Sequence, residues 1–177
     1  MNFDLNEDQR LTRDMIERFL GPINIQGRLE MRRRPAHYDP ARWQQLADLG
    51  LIAMSAPSAM DGMESSLLDL ALTAEALGKG LSLDPWLENG VLPIRLAAAI
   101  GDVNVARSLI SAEKTAAIAF AEPAQGYALT ASDVRADNGQ ISGQKQFVLG
   151  DAISSLLFVT LANDHVAIIH SDDPAIS

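Results

Sequence analysis

A chain of 177 residues, 47% apolar and 21% charged, has the makeup of a globular protein with one or two cored domains. Its net charge of −9 argues against nonspecific nucleic-acid binding, which needs cationic side chains to neutralise phosphates. The absence of cysteine excludes disulfides, thiolate metal sites and thiol nucleophiles together. The opening MNFDLNEDQ has neither the basic start nor the apolar core of a signal peptide, and no apolar run is long enough to cross a bilayer. The expectation is a cytoplasmic protein with no nucleic-acid or membrane partner.

In chain order, Asn6 and Gln9 stand at capping-box spacing. Leu11, Met15, Ile16, Phe19 and Leu20 then form one apolar face at helical spacing, and Gly21-Pro22 ends the helix. Residues 23–38 read as irregular, with the triplet Arg32-Arg33-Arg34 in a solvated loop rather than at a phosphate. Asp39-Pro40 opens a second helix. Tyr38 and Trp43 are spaced as a hydrophobic staple, Trp43, Leu46 and Leu49 make a buried stripe, and Gly50 follows as a left-handed residue. Residues 53–64 form a loop whose Met54, Met60 and Met63 either pack beneath it or line an adaptable pocket.

Ser66 and Asp69 cap a third helix. Its Leu67, Leu68, Leu70, Leu72 and Leu77 cover most of the circumference, which predicts a helix buried within a bundle. Asp84-Pro85 starts the next element, which Asn89-Gly90 and Pro93 should break before residues 94–100. Asp102 caps a last helix carrying Val103, Val105, Ala106, Leu109 and Ile110, so about five helices are expected.

The pattern then changes period. Residues 116–121 are an apolar run too short for a good helix, ended by Pro123. Residues 127–136 roughly alternate as a half-buried strand does, and Asn138-Gly139 is a strong signal for a type I′ hairpin turn. A return strand runs through Ile141, Gly143, Lys145, Phe147 and Leu149. Residues 156–161 and 165–170 read as two further strands, with Asn163-Asp164 as their turn. This segregated order defines an α+β chain: an N-terminal all-helical bundle domain, residues 1–114, followed by a partial antiparallel β domain, residues 115–177.

The residues alone offer no catalytic constellation. His37, His165 and His170 have no metal-ligand spacing, and the last two face opposite sides of one strand. No G-x-S-x-G elbow and no glycine-rich phosphate loop is present.

The ordered set of segments does carry a resemblance. The pattern F-A-E-P-x-x-G, a hairpin, then G-x-K-x-F-V-L-G resembles the flavin-binding middle domain of the acyl-CoA dehydrogenases, where T-E-P-x-x-G-S-D and G-x-K-x-W-I-T-N are usual. Residues 3–14, 43–52 and 68–78 look like that family's opening, second and central helices. The resemblance implies FAD-dependent α,β-dehydrogenation of an acyl-CoA thioester. The flavin supplies the hydride chemistry, and the catalytic base comes from a C-terminal helical domain in most members. It places a flavin wall at Phe120, Ala121, Phe147, Val148 and Leu149, puts Tyr127 at a substrate-binding position, and assigns no catalytic residue to this chain.

Several positions depart from the family pattern. Ala121 and Leu149 replace two threonines, Gly150 replaces an asparagine, and Tyr127 and Ala128 replace a Ser-Asp pair. Losing two hydroxyl donors, at about 1 kcal/mol each, costs roughly tenfold or more in cofactor affinity unless main-chain amides compensate. The resemblance therefore implies a fragment, inactive alone, of one subunit of a heteromeric enzyme. Its partners would be an acyl-CoA, a second acyl-CoA dehydrogenase-like chain or another copy of itself, and an electron-transfer flavoprotein as acceptor. A working variant flavoenzyme and a flavin-free scaffold are the alternatives.

Overall fold

The computed structural model describes residues 4–34, 39–123, 128, 130–131 and 133–176. They fall into two units, one up to Asp84 and one from Pro85 onward.

The first unit is helical. In α1 (Glu7–Leu20) the Asn6 side chain accepts from the Gln9 amide at 2.8 Å, and the Gln9 side chain accepts from the Asn6 amide at 3.1 Å. The capping box is thus complete, and the helix buries Ile16 and Leu20. A helix where an irregular stretch was expected corrects the sequence reading: α2 spans Ile25–Arg32. It has no buried residue, so it lacks the apolar stripe that periodicity detects. Asn24 caps it at Gly27, and Arg28 anchors it by donating to the Gly80 carbonyl at 2.7 Å. In α3 (Pro40–Asp48) Asp39 is the N-cap and Pro40 occupies the first turn. Trp43 and Leu46 are buried, Leu49 is half-buried, and Gly50 has φ +77°. The Tyr38 half of the proposed staple lies outside the described residues.

The methionine loop holds two 3-10 turns, Ala53–Ser55 and Ser58–Met60. Met54 is buried and Met63 is exposed. Gly62 is required by close approach, since a Cβ there would lie 2.1 Å from the Ala56 carbonyl oxygen.

Helix α4 (Leu67–Lys79) begins with the expected Ser66–Asp69 capping box. It is not buried all round: Leu70, Thr73, Ala76 and Leu77 face inward, while Leu67 is 80% exposed and Leu68 57%. The five leucines thus spread beyond the one face that the described residues cover. Asp69 also accepts from Gln9 of α1 at 2.9 Å. The Ser66 hydroxyl first, and Gln9 second, hold its carboxyl below the ordinary carboxylate range. A depressed folded-state pKa gives stability that is full above the unfolded value, about 4, and is lost as pH falls through the folded one. Asp69→Asn should therefore lower stability at pH 7 by about 0.5–1 kcal/mol and flatten the decline below about pH 4. Thermal melts of both proteins from pH 2.5 to 7 check this, and parallel curves would refute it.

Arg42 closes the unit. Its guanidinium makes two bonds to Asp84, at 2.7 and 3.1 Å, and lies 4.4 Å from the Phe19 ring centroid. The Asp84 side chain is 5% exposed and also accepts from the Ser82 hydroxyl. Arg42→Ala leaves that carboxylate short of its cation and is expected to cost about 2–3 kcal/mol in urea unfolding. Arg42→Lys should recover less than half, because an ammonium cannot make the paired bonds.

The second unit opens with a π-helical segment, Trp86–Val91, which runs into α5 (Leu92–Ile100) with Pro93 in its first turn. This is the break expected before residue 94. Helix α6 (Val103–Ile110) is capped by Asp102, which accepts from Val105 at 3.0 Å. Strands β1 (Ala116–Ala119), β2 (Arg135–Asp137), β3 (Gln140–Ser142), β4 (Leu156–Leu161) and β5 (His165–His170) follow. The described residues thus hold six α-helices where about five were expected, and the α+β class holds.

Two sheets form: a three-stranded one ordered β1-β4-β5 and a two-stranded β2-β3 ribbon. Both expected turns have positive φ at both central residues, 49° and 79° at Asn138-Gly139, and 65° and 60° at Asn163-Asp164. The antiparallel expectation holds for β2-β3 and β4-β5 and is corrected at β1, which pairs with β4 in parallel. Thr115 sets that register: its carbonyl accepts from the Ser155 and Leu156 amides, and its hydroxyl bonds the Ile153 carbonyl. Among the described residues β2 and β3 are 3 residues each, and the return strand expected to reach Leu149 stops at Ser142. Among the described residues no helix is long and apolar enough to cross a membrane.

Candidate functional site

The segments expected to form a flavin wall meet in the second unit. Both follow short structured pieces, β1 before Phe120 and β3 before Lys145. The Gln146 amide donates to the Ala121 carbonyl at 2.9 Å, so residues 120–122 run beside residues 145–147. Phe120 is 42% exposed, Phe147 79% and Leu149 63%, and all three present apolar surface. Ala121 is half-buried. Val148 turns the other way and packs on the core of Ala119, Val134, Val159 and Leu161. The rim therefore draws on four of the five expected residues, with Val148 beneath it. Tyr127 lies outside the described residues, and Ala128 is exposed.

Two motif residues that the sequence reading left without a role hold this arrangement. Lys145 Nζ donates to Glu122 Oε1 at 2.8 Å, to Thr160 Oγ1 at 3.0 Å and to the Phe120 carbonyl at 3.2 Å. Glu122 also accepts from the amides of Asp133 at 2.9 Å and Val134 at 3.1 Å. The two side chains are 8% and 0% exposed, respectively. The E of F-A-E-P and the K of G-x-K, spaced far apart in sequence, were the available signal. The motif glycine, Gly143, presses against Val134, where a Cβ would meet the Val134 side chain at 2.7 Å.

Gly150, at the position of the family's asparagine, is pressed by Asn89 of the π-helical segment. A Cβ at residue 150 would come 1.9 Å from Asn89 Oδ1. Asn89 is 1% exposed, and its Nδ2 donates to the carbonyls of Ala116 (2.8 Å) and Gly150 (3.2 Å) and to Ser154 Oγ (3.0 Å). Here, then, the loss of the asparagine is coupled to a polar group inserted from another element.

The donor set tests the fit of a flavin. The rim supplies apolar surface for a ring, while the side chains at 121 and 149 supply no hydroxyl for its polar edge. Among the described residues, the amides of Phe147, Val148 and Leu149 have no hydrogen-bond partner and remain available as donors. A flavin set here would meet apolar side chains on its face and only main-chain donors at its polar edge.

The first unit has a separate hollow of about 430 Å³ whose lining includes Met15, Ile16, Leu51, Met54 and Met63. Two of the three loop methionines line it and Met60 does not.

Comparison with known proteins identifies the family of the chain. Residues 6–99 match the profile of the acyl-CoA dehydrogenase N-terminal domain. The chain is 31% identical over 171 residues to cyclohex-1-ene-1-carbonyl-CoA dehydrogenase of Geobacter metallireducens, covering 90% of this chain and 44% of that protein. The chain belongs to the acyl-CoA dehydrogenase family.

In fold it is similar to a chain of the ChsE4–ChsE5 complex of Mycobacterium tuberculosis. The TM-score is 0.81 at 19% identity, over 100% of this chain and 50% of that one. It is also similar to a chain of the Tcur3481–Tcur3483 steroid acyl-CoA dehydrogenase, with a TM-score of 0.80 at 17% identity over 97% and 50%. The chain spans about half the length of the relatives it matches.

Proposed function

We propose that the chain is part of one subunit of a heteromeric, FAD-dependent acyl-CoA dehydrogenase that introduces an α,β double bond into an acyl-CoA thioester. The observation that carries this is the rim of Phe120, Phe147 and Leu149: an exposed apolar face whose hydroxyl positions are replaced while the polar clamp beneath is intact. Bound FAD would accept the hydride. The chain's own residues would cover the ring with Phe147 and Leu149, donate main-chain amides to its polar edge, and exclude water with Phe120. No residue of this chain is assigned the removal of the α-proton, and the chain alone is expected to be inactive. Division into a helical domain, residues 1–114, and a β domain, residues 115–177, belongs to the same proposal, as do a cytoplasmic location and an electron-transfer flavoprotein acceptor.

Similar proteins named for a cyclohexene-carbonyl and a steroid substrate make a bulky cyclic acyl-CoA the class to try first. A flavin-free scaffold is the second reading, favoured by the missing hydroxyls at Ala121 and Leu149. Visible absorption of the protein, purified alone and after co-expression with a second acyl-CoA dehydrogenase-like chain, separates the two. Flavin bands in the complex at less than one flavin per chain support the heteromer. Bands in the protein alone mean a self-sufficient site, and colourless protein in both cases supports the scaffold.

A further inference from the structure

We infer that Glu122, Lys145 and Thr160 form a positioning device that fixes Phe147 against Phe120, so that the rim has one geometry before any ligand arrives. Its use by a flavin rests on the reading above; its mechanical action rests on the geometry alone. An ammonium has three donors, and Lys145 has three acceptors around it, one each from residues 120, 122 and 160. Glu122 adds two backbone amides from residues 133 and 134. Four separated stretches of chain are thereby referenced to one buried ion pair.

Three of the four rim residues sit within two positions of the pair. Phe120 lends its carbonyl to Lys145, Ala121 precedes Glu122, and Phe147 follows Lys145 by two. Phe147 has φ +54°, a conformation unfavourable for a bulky side chain that persists where its surroundings over-determine it. Packing does not supply that constraint, because Phe147 is 79% exposed. The remaining constraint is the anchored backbone on either side: Lys145 and the Gln146–Ala121 hydrogen bond before it, and Val148 in the core after it. A buried ion pair seldom adds stability over a well-packed apolar pair, so the pair's value here is the geometry it imposes.

The test compares the full chain with the double variant Glu122→Gln/Lys145→Met, which removes both charges and keeps the volumes. Thr160→Val is a milder second variant, Thr160→Ser restores the hydroxyl, and Phe158→Leu is a core variant of the same strand, β4. The readout is native-state cleavage by chymotrypsin after Phe147, with hydrogen exchange of residues 145–149. At matched distance below each melting temperature, cleavage should be about tenfold faster in the double variant and intermediate in Thr160→Val. It should be unchanged in Thr160→Ser and in Phe158→Leu. Equal cleavage in the double variant and Phe158→Leu overturns the proposal, since general loosening would then explain it. Flavin content is read separately: if the wild-type complex holds none, the cofactor reading fails while the proteolysis still decides the device.

Discussion

Lys145→Met alone should destabilise the second unit by about 3–5 kcal/mol, and adding Glu122→Gln should recover most of that loss. The asymmetry follows from burial. The Glu122 side chain is fully buried, and two backbone amides remain on it when the ammonium goes. A buried carboxylate that loses the cation bonded to it at 2.8 Å is costly to keep charged in a low-dielectric site. Glutamine keeps an acceptor for an amide and carries no charge, and methionine fills the volume of the lysine stem. Urea unfolding of wild type, both single variants and the double variant at pH 7 completes a double-mutant cycle. A cost below about 1 kcal/mol for Lys145→Met would show that the pair behaves like a solvated one.

Gly150→Asn, which restores the residue usual in the family, is expected to cost about 3 kcal/mol rather than to repair the site. Asparagine tolerates the backbone, since φ there is +74°, in the left-handed region that Asn enters more readily than most residues. The obstacle is Asn89, whose Oδ1 occupies the place of the new Cβ. Relief requires Asn89 to move, which breaks its bonds to Ala116, Gly150 and Ser154; the Gly150 carbonyl keeps the Ser154 hydroxyl, and the Ala116 carbonyl loses its side-chain donor. Asn89→Ala in the same chain opens the space and should recover about 1 kcal/mol, the side-chain bond to the Ala116 carbonyl staying lost. Melting curves of the wild type and both variants decide this. A neutral Gly150→Asn would show that the π-helical segment yields easily and that the family's asparagine could return in one step.

Local signals were legible in the sequence because they act within a few residues. Asn6–Gln9 and Ser66–Asp69 fix helix starts through their own hydrogen bonds, and Asn138-Gly139 and Asn163-Asp164 fix turns through backbone conformation. Strands β4 and β5 are legible to their true ends because apolar runs and the turn at Asn163-Asp164 delimit them. Helix α2 was missed because it buries nothing; its Asn24 cap was the signal that could have found it. The exposed Leu67 and Leu68 were read as buried because a leucine-rich helix does not say which of its faces is covered. The parallel pairing of β1 was out of reach, since nothing in the four residues AAIA names a partner. At the site, the letters of both motifs located the rim, but the Glu122–Lys145 bond and the intrusion of Asn89 are meetings of distant residues that no local pattern encodes.

The parallel pairing of β1 with β4 also has a kinetic side. Ala116 lies opposite Leu156, about forty residues on, whereas β4 meets β5 across a short turn, residues 162–164. Closing the long loop costs chain entropy before any contact rewards it, while the hairpin closes on a microsecond timescale. The β4-β5 hairpin therefore forms early and waits with the edge meant for β1 unpaired. On a ribosome that wait is short, because β1 has already been made when β4 emerges; on refolding from denaturant the open edge is available to any other chain at the same stage. Yield on refolding should therefore fall with protein concentration more steeply than yield from synthesis.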